Sequence, residues 1–257
     1  EYLVEPNVII PKPELKRLQG ALEELLASRP VQYVLGYENF GGFRFNVCES
    51  VLIPRPETEE LVRMIQHQWD SDRMSELKIL DLCTGSGCIA HTLAAYFRKS
   101  QVIGCDLSDD ALKVAQEQNI SENRPLFFKW DVLAGPPDER DIASSSSTLP
   151  DLEEVDILVS NPPYGCEKER DFMSDNVLEY EPSMALFVPD NDPLRFYRAF
   201  AQWAITVVKV GGKGYCEINE AYHKEVVALF EEFGFSDVTM VEDIHTKPRM
   251  VYFTKWF

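Results

Sequence analysis

Two stretches of this chain carry side chains whose type and order suit chemistry on a nucleotide-like ligand. The first runs Ile79-Leu80-Asp81-Leu82-Cys83-Thr84-Gly85-Ser86-Gly87-Cys88-Ile89-Ala90, an apolar strand pattern, a glycine turn and a helix start. Gly85 and Gly87 let the backbone turn sharply and come close to a ligand that a Cβ would exclude. The helix start behind them offers unpaired N–H groups. Nineteen residues beyond Gly87, where the next apolar run ends, stands Asp106. A carboxylate there can accept hydrogen bonds from both hydroxyls of a ribose. The loop also satisfies G-x-G-x-x-A, so alone it leaves a nicotinamide dinucleotide open. Asp81, just ahead of the loop, suits a cationic amino group such as that of a methionine moiety, whose carboxylate could take the helix donors. Asp131, in Trp130-Asp131-Val132, suits an adenine amino group. Against this stands the plain reading of an α/β turn with no ligand; loop, spacing and Asp106 together weigh against it.

The second stretch is Asn161-Pro162-Pro163-Tyr164, delivered by the apolar run 155–160. Two prolines fix φ, hold the preceding residue extended and remove backbone donors. What remains is a stiff loop presenting acceptors, the Asn161 side-chain oxygen and nearby carbonyls, with Tyr164 as an aromatic plate. That equipment suits a planar NH2 group. An amide nitrogen is a weak nucleophile, and holding it close to a methyl donor with its lone pair aimed is the main help available. A Pro-Pro turn with a capping Asn is the plain alternative.

The elements that must position these residues alternate. Helical periodicity predicts helices over 13–28, 54–69, 87–97, 108–119, 192–208 and 221–233, with Ser108 as a cap. Strands are predicted over 77–82, 102–106, 126–129, 155–160, 214–219, 238–241 and 250–256. The aromatic and β-branched stretch 31–53 reads as a small β-hairpin region. Alternating strands and helices give an α/β fold with a largely parallel sheet, whose carboxyl ends hold ligands. Residues 136–154, with their serine run, read as a mobile surface insertion. Arg55 and Glu57 could pair at a helix start, Glu181-Pro182 could shape a loop over the pocket, and Asp190 and Asp192 read as a turn and a helix cap. Phe40, Phe43 and Phe45 read as hairpin core.

Composition narrows the functional classes. Net charge is −18 over 257 residues. Nucleic-acid affinity rests largely on Lys and Arg neutralising phosphates, and no such cluster is visible, so nucleic acid as the main substrate is disfavoured. No run approaches the roughly 18–20 apolar residues of a membrane span. The six cysteines form neither a CxxC pair nor zinc spacing, so no metal is expected. The start at Glu1 has no initiator Met and no signal pattern. We expect a cytoplasmic protein, not bound to a membrane, with more chain ahead of it.

Taken with their surroundings, these motifs resemble the HemK/PrmC family of release-factor glutamine N5-methyltransferases. The resemblance covers about residues 30–257 and is carried by PVQYVLGYENFGGFRF, LIPRPETEELV, ILDLCTGSGCIA, the Asp106 strand end, DILVSNPPY, YEPSMALF and DPLRFYRAF. It implies a class I methyltransferase, a Rossmann-like seven-stranded sheet of order 3-2-1-4-5-7-6, using S-adenosylmethionine and releasing S-adenosylhomocysteine. It implies a release factor as partner, methylated on the glutamine of a Gly-Gly-Gln motif. Asn161 and the Pro162 carbonyl would hold the amide, Pro163 and Tyr164 would wall the pocket, and Asn161 would also border the cofactor. Cys83, Thr84, Gly85, Ser86, Gly87 and Asp106 would bind the cofactor with Asp81, and Asp131 and Val132 would lie near the adenine. The implied division is 1–29 as the end of an N-terminal helical substrate-binding domain, 30–53 as a hairpin linker and 54–257 as the catalytic domain. Cys83 departs from the family, where a glycine is usual. The alternatives are an amino methyltransferase acting on adenine or guanine, which NPPY permits, an NAD-dependent oxidoreductase, and a non-catalytic binding domain.

Overall fold

The computed structural model describes residues 10–138 and 149–257. The chain opens with helix α1 (Lys12–Leu26) and a short helix α2 (Val31–Leu35). Strands β1 (Tyr37–Phe40) and β2 (Phe43–Asn46) then pair antiparallel through a two-residue Gly41-Gly42 turn, both glycines at positive φ as such a hairpin requires. Phe40 and Phe45 are fully buried against Leu61, Ile65 and Leu93. Each such side chain contributes roughly 1.5–3 kcal/mol, which anchors a hairpin that would be marginal alone.

Helix α3 (Pro56–Gln68) starts with Pro56 and acidic Glu57 and Glu59, which suit the positive end of its dipole. Its buried face, Thr58, Leu61, Val62 and Ile65, follows helical spacing. The alternation then begins: β3 (Lys78–Leu82), α4 (Cys88–Tyr96), β4 (Gln101–Asp106), α5 (Asp109–Glu117), β5 (Leu126–Lys129) and β6 (Val155–Ser160). Ser108 caps α5, its hydroxyl accepting from the Ala111 amide at 3.2 Å. After β6 come β7 (Gly165–Cys166), a 3-10 segment 167–172, α6 (Asp175–Tyr180), α7 (Ser183–Leu186) and β8 (Phe187–Val188). The chain ends with α8 (Arg195–Val207), β9 (Val208–Glu217), α9 (His223–Glu232), β10 (Ser236–Glu242) and β11 (Pro248–Thr254).

The main sheet has seven strands in the order β10-β11-β9-β6-β3-β4-β5. Numbering its strands by sequence and reading from β5 gives 3-2-1-4-5-7-6, as the resemblance implied. The β3, β4, β5, β6 and β9 pairs are parallel, and β11 is antiparallel to both neighbours. One face is covered by α8 and α9 through Trp203, Phe200 and Phe230, the other by α3, α4 and the hairpin. A parallel sheet covered on both faces is the reason β6 is buried along its whole length.

Four expectations are corrected. Residues 31–35 form a helix, because Pro30 starts it, Gly36 in the left-handed region ends it, and Tyr33 is drawn into a buried cluster with its hydroxyl donating to the Val51 carbonyl. β9 begins at Val208, six residues earlier than its periodicity suggests, through a bulged, glycine-rich half with Gly211 at φ +83°. Arg55 pairs with Glu181, at 2.6 Å, and not with Glu57. Asp192 does not cap α8, whose first residue is Arg195; it forms an ion pair with Arg198. The expected insertion 136–154 lies largely outside the described residues, as does the chain start. No helix among the described residues is long and apolar enough to cross a membrane.

Candidate active site

From β3 the chain winds outward to β4 on one side, while β6 pairs with β3 on the other. The crevice between the carboxyl ends of β3 and β6 is therefore the topological switch point, where open α/β sheets bind ligands. The glycine loop leaves β3 on one side of it and Asn161-Pro162-Pro163-Tyr164 leaves β6 on the other. The Ser160 hydroxyl donates to the Leu82 carbonyl at 2.7 Å and ties the two strand ends together.

The loop needs three residues in the left-handed region: Cys83 at φ +59°, Gly85 at +54° and Gly87 at +77°. The glycines accept this freely, whereas Cys83 carries a cost of about 1–2 kcal/mol. Asp106 holds the turn, its two oxygens accepting from the Gly85 amide at 2.9 Å and the Ser108 amide at 3.0 Å. Burial pushes its carboxyl above the usual range while those amides pull it back.

Asp81 lies behind the loop, fully buried. One oxygen accepts from the Thr84 hydroxyl at 2.6 Å; the other has no hydrogen-bond partner among the described residues. Burial pushes its pKa up to about 7 against the pull of the Thr84 hydroxyl and of the Ala90 amide, which lies near the carboxylate without making a well-formed bond to it. An orphaned carboxylate oxygen behind a glycine loop fits a ligand that brings a positive group to it.

On the opposite wall the Asn161 amide NH2 donates to the Thr58 hydroxyl at 2.9 Å. Thr58 in turn donates to one oxygen of Glu217 at 2.6 Å, and Tyr164 donates to the other at 2.8 Å. Glu217 ends β9 and is buried, which raises its pKa against the pull of those two hydroxyls and of Arg249. Burial and the Glu217 charge hold the Tyr164 phenol well above its ordinary value.

These residues border two adjoining hollows. The one larger in outline, with about 1040 Å³ of empty space counting its open mouth, is lined by Cys83, Thr84, Gly85, Ser86, Asp106, Asp131, Val132, Asn161 and Pro163. The one smaller in outline, with about 690 Å³ on the same count, is lined by Asn161, Pro162, Tyr164, Met173 and Val177 among others. Asn161 and Arg55 border both. Of the residues assigned to cofactor or substrate from the sequence, Asp81 and Gly87 stand off the wall: Asp81 beneath the loop, and Gly87 as the N-terminal cap of α4.

A methyltransferase-domain family profile matches residues 79–157. The release factor glutamine methyltransferase of Flavobacterium psychrophilum is 39% identical over 252 residues, covering 98% of this chain and 84% of the relative. The enzyme of the same name from Bacteroides thetaiotaomicron is 37% identical, covering 95% and 83%. The chain belongs to the release factor glutamine methyltransferase family. A methyltransferase structure from Pyrococcus furiosus aligns over 93% of this chain and 98% of its own at a TM-score of 0.55 and 14% identity, a likeness of fold. The fold is that of the class I S-adenosylmethionine-dependent methyltransferases.

In this family member several site residues escaped the sequence reading. Thr58 sits inside the IPRPETE stretch, yet nothing in its type announces a bond to a residue 103 positions away. Glu217 ends a strand with no motif around it. Trp130, Pro182, Met184 and Phe196 also line the larger hollow. Glu181 is buried and clamps the segment ahead of α3, accepting from the Ile53 amide at 3.1 Å and from Arg55. That strap carries Pro182 to the cleft.

Proposed function

We propose that this protein transfers a methyl group from S-adenosylmethionine to the side-chain amide nitrogen of the glutamine in the Gly-Gly-Gln motif of a peptide chain release factor. The observation that carries the reading is the position of Asn161, an amide acceptor on the boundary between two hollows. A transfer enzyme needs such a group where its two substrates meet. Curated relatives at 37–39% identity bear the corresponding name.

In this reading the larger hollow takes the cofactor. The Cys83–Gly87 loop and the start of α4 receive its amino-acid end, with the free Asp81 oxygen toward the amino group. Asp106 accepts from the ribose hydroxyls, and Asp131 and Val132 flank the adenine. When bound, the cofactor supplies an electrophilic methyl group and leaves as S-adenosylhomocysteine. The smaller hollow takes the glutamine. Asn161 Oδ1 and the Pro162 carbonyl accept from the amide NH2, and Pro163 and Tyr164 limit where it can lie. No base need remove a proton beforehand, because the nitrogen becomes acidic only as the C–N bond forms and the S–CH3 bond breaks, and its proton then passes to water. Residues 54–257 carry the chemistry, and residues 1–29 serve the grip on the protein substrate. Nucleic acid is not the main substrate, and the reaction belongs in the cytoplasm, with translation.

The test uses radiolabelled S-adenosylmethionine with purified release factor, the same factor lacking the Gly-Gly-Gln glutamine, and a mixed DNA/RNA control. Label in the factor and none in its variant is the expected result. Label in nucleic acid replaces this reading with an amino methyltransferase acting on bases.

A further inference from the structure

We propose that Thr58 and Glu217 are positioning residues that fix which end of the Asn161 side-chain amide faces the reacting nitrogen. The inference rests on the proposed methylation of an NH2 group and adds the device that selects such a group.

An asparagine amide has two ends of similar size and opposite hydrogen-bonding character. If its NH2 faced the smaller hollow, two donors would oppose each other when a substrate amide entered. If its oxygen faces the hollow, the substrate NH2 finds an acceptor. Asn161 cannot settle this alone, since rotating its amide by half a turn exchanges the ends at little steric cost. Its neighbours settle it. An ionised carboxylate only accepts, so Glu217 takes the hydroxyl protons of both Thr58 and Tyr164, at 2.6 and 2.8 Å. Once Thr58 has committed its one proton to Glu217, its oxygen can only accept from Asn161. The donor must be the Asn161 NH2, which lies 2.9 Å away. Oδ1 is thereby left for the hollow.

The chain of bonds is built to hold that polarity. Thr58 and Glu217 are both nearly inaccessible to water, which removes the solvent that could reverse a hydrogen bond. Thr58 is set by the first turn of α3 and Glu217 by the carboxyl end of β9, so neither rides on a loose loop. Arg249 lies near enough to favour the carboxylate over its neutral form, opposing the burial that disfavours it. The same carboxylate fixes Tyr164, so one buried group sets two walls of the substrate hollow.

The experiment compares wild type with Thr58→Val, which keeps the shape and removes the hydroxyl, and with Thr58→Ser, which restores it. Release-factor methylation is followed for kcat and KM, and cofactor affinity by calorimetry. The Asn161 side-chain amide is followed by nitrogen-proton NMR, assigned by its loss in Asn161→Asp. We expect Thr58→Val to lose about tenfold or more in kcat, the scale of one hydrogen bond. KM should rise as well, because a reversed amide meets the incoming NH2 donor to donor, while cofactor affinity should stay within about threefold. Thr58→Ser should recover most of the turnover. One Asn161 amide proton should be shifted and protected from exchange in wild type and Thr58→Ser, and not in Thr58→Val. Wild-type kcat and KM in Thr58→Val, or a Thr58→Ser variant as damaged as Thr58→Val, overturns the relay. Glutamine labelling without the amide signature overturns the relay and leaves the function standing. The signature without any glutamine labelling overturns the function and leaves the relay.

Discussion

Asp81 is a buried carboxyl beneath the glycine loop whose charge would respond to a cationic group brought into the cleft. Buried with one oxygen unpaired, it has a pKa near 7 in the free protein. A ligand bringing a cationic amino group binds the ionised form, so below pH 7 binding must first remove a proton. Cofactor affinity should therefore fall from pH 8 to pH 6, by up to about tenfold per pH unit on the acid side. Calorimetry across that range checks it, and Asp81→Asn should flatten the profile. Folding stability carries the opposite sign. The folded state keeps a proton that the unfolded chain gives up near the ordinary carboxylate value, so this contribution is full below that value and is lost as pH rises through about 7. The proposed role of Asn161 predicts a separation of cofactor binding from chemistry. Asn161→Ala should cut turnover about 10²-fold or more by removing the oriented acceptor while cofactor affinity stays nearly unchanged. A variant with near-normal kcat would reject the amide-holding role. These residues were legible because each lies beside its own strand end, where a local motif announces it. Thr58 and Glu217 were not, since the bond between them closes 159 residues of chain and neither type is unusual at its place.

The glycine loop does its work as an element, and its two glycines answer different needs. Gly87, at φ +77°, leaves tight room for a Cβ, which would sit 3.1 Å from the Ala115 and His91 side chains and force them to give way. Gly85, at φ +54°, has nothing within 4 Å of that position and lines the larger hollow. Gly87→Ala should therefore destabilise the protein by about 2–4 kcal/mol through backbone strain and crowding together. Gly85→Ala should cost about 1–2 kcal/mol of strain but weaken cofactor binding, because its methyl enters the cleft. Denaturant midpoints and calorimetry on both variants test this division, and equal stability losses would refute it. Elements were legible where periodicity and burial agree, as in β6, β3 and α8. They were not where tertiary contacts override local preference. The β-branched 31–35 stretch coils because Pro30, Gly36 and the Tyr33 anchor demand it. The first half of β9 hid behind glycines that its bulge requires. Residues 165–194 build short pieces held by distant partners, Glu181 to Arg55 among them, and show no period to read.

At the scale of the whole molecule, the fold brings two motifs 74 residues apart, Gly87 and Asn161, to one crevice, and the charge decides what approaches it. An acceptor loop of this kind holds a planar NH2 group, whether that of a glutamine or of an adenine, so the choice between them falls to the surface around the site. A chain of net charge −18 repels a polyanion from most directions. That repulsion is strongest at low ionic strength, the condition in which phosphate-binding proteins bind most tightly. We expect no retention of DNA or RNA in a mobility-shift assay at about 20 mM salt, where the Debye length exceeds about 20 Å. The control that gives this result meaning is salt dependence. Retention at low salt that weakens steeply on adding salt would locate a basic groove and return the nucleic-acid alternative to contention. Absence of retention throughout leaves a protein side-chain amide as the NH2 group that both the acceptor loop and the surface charge admit.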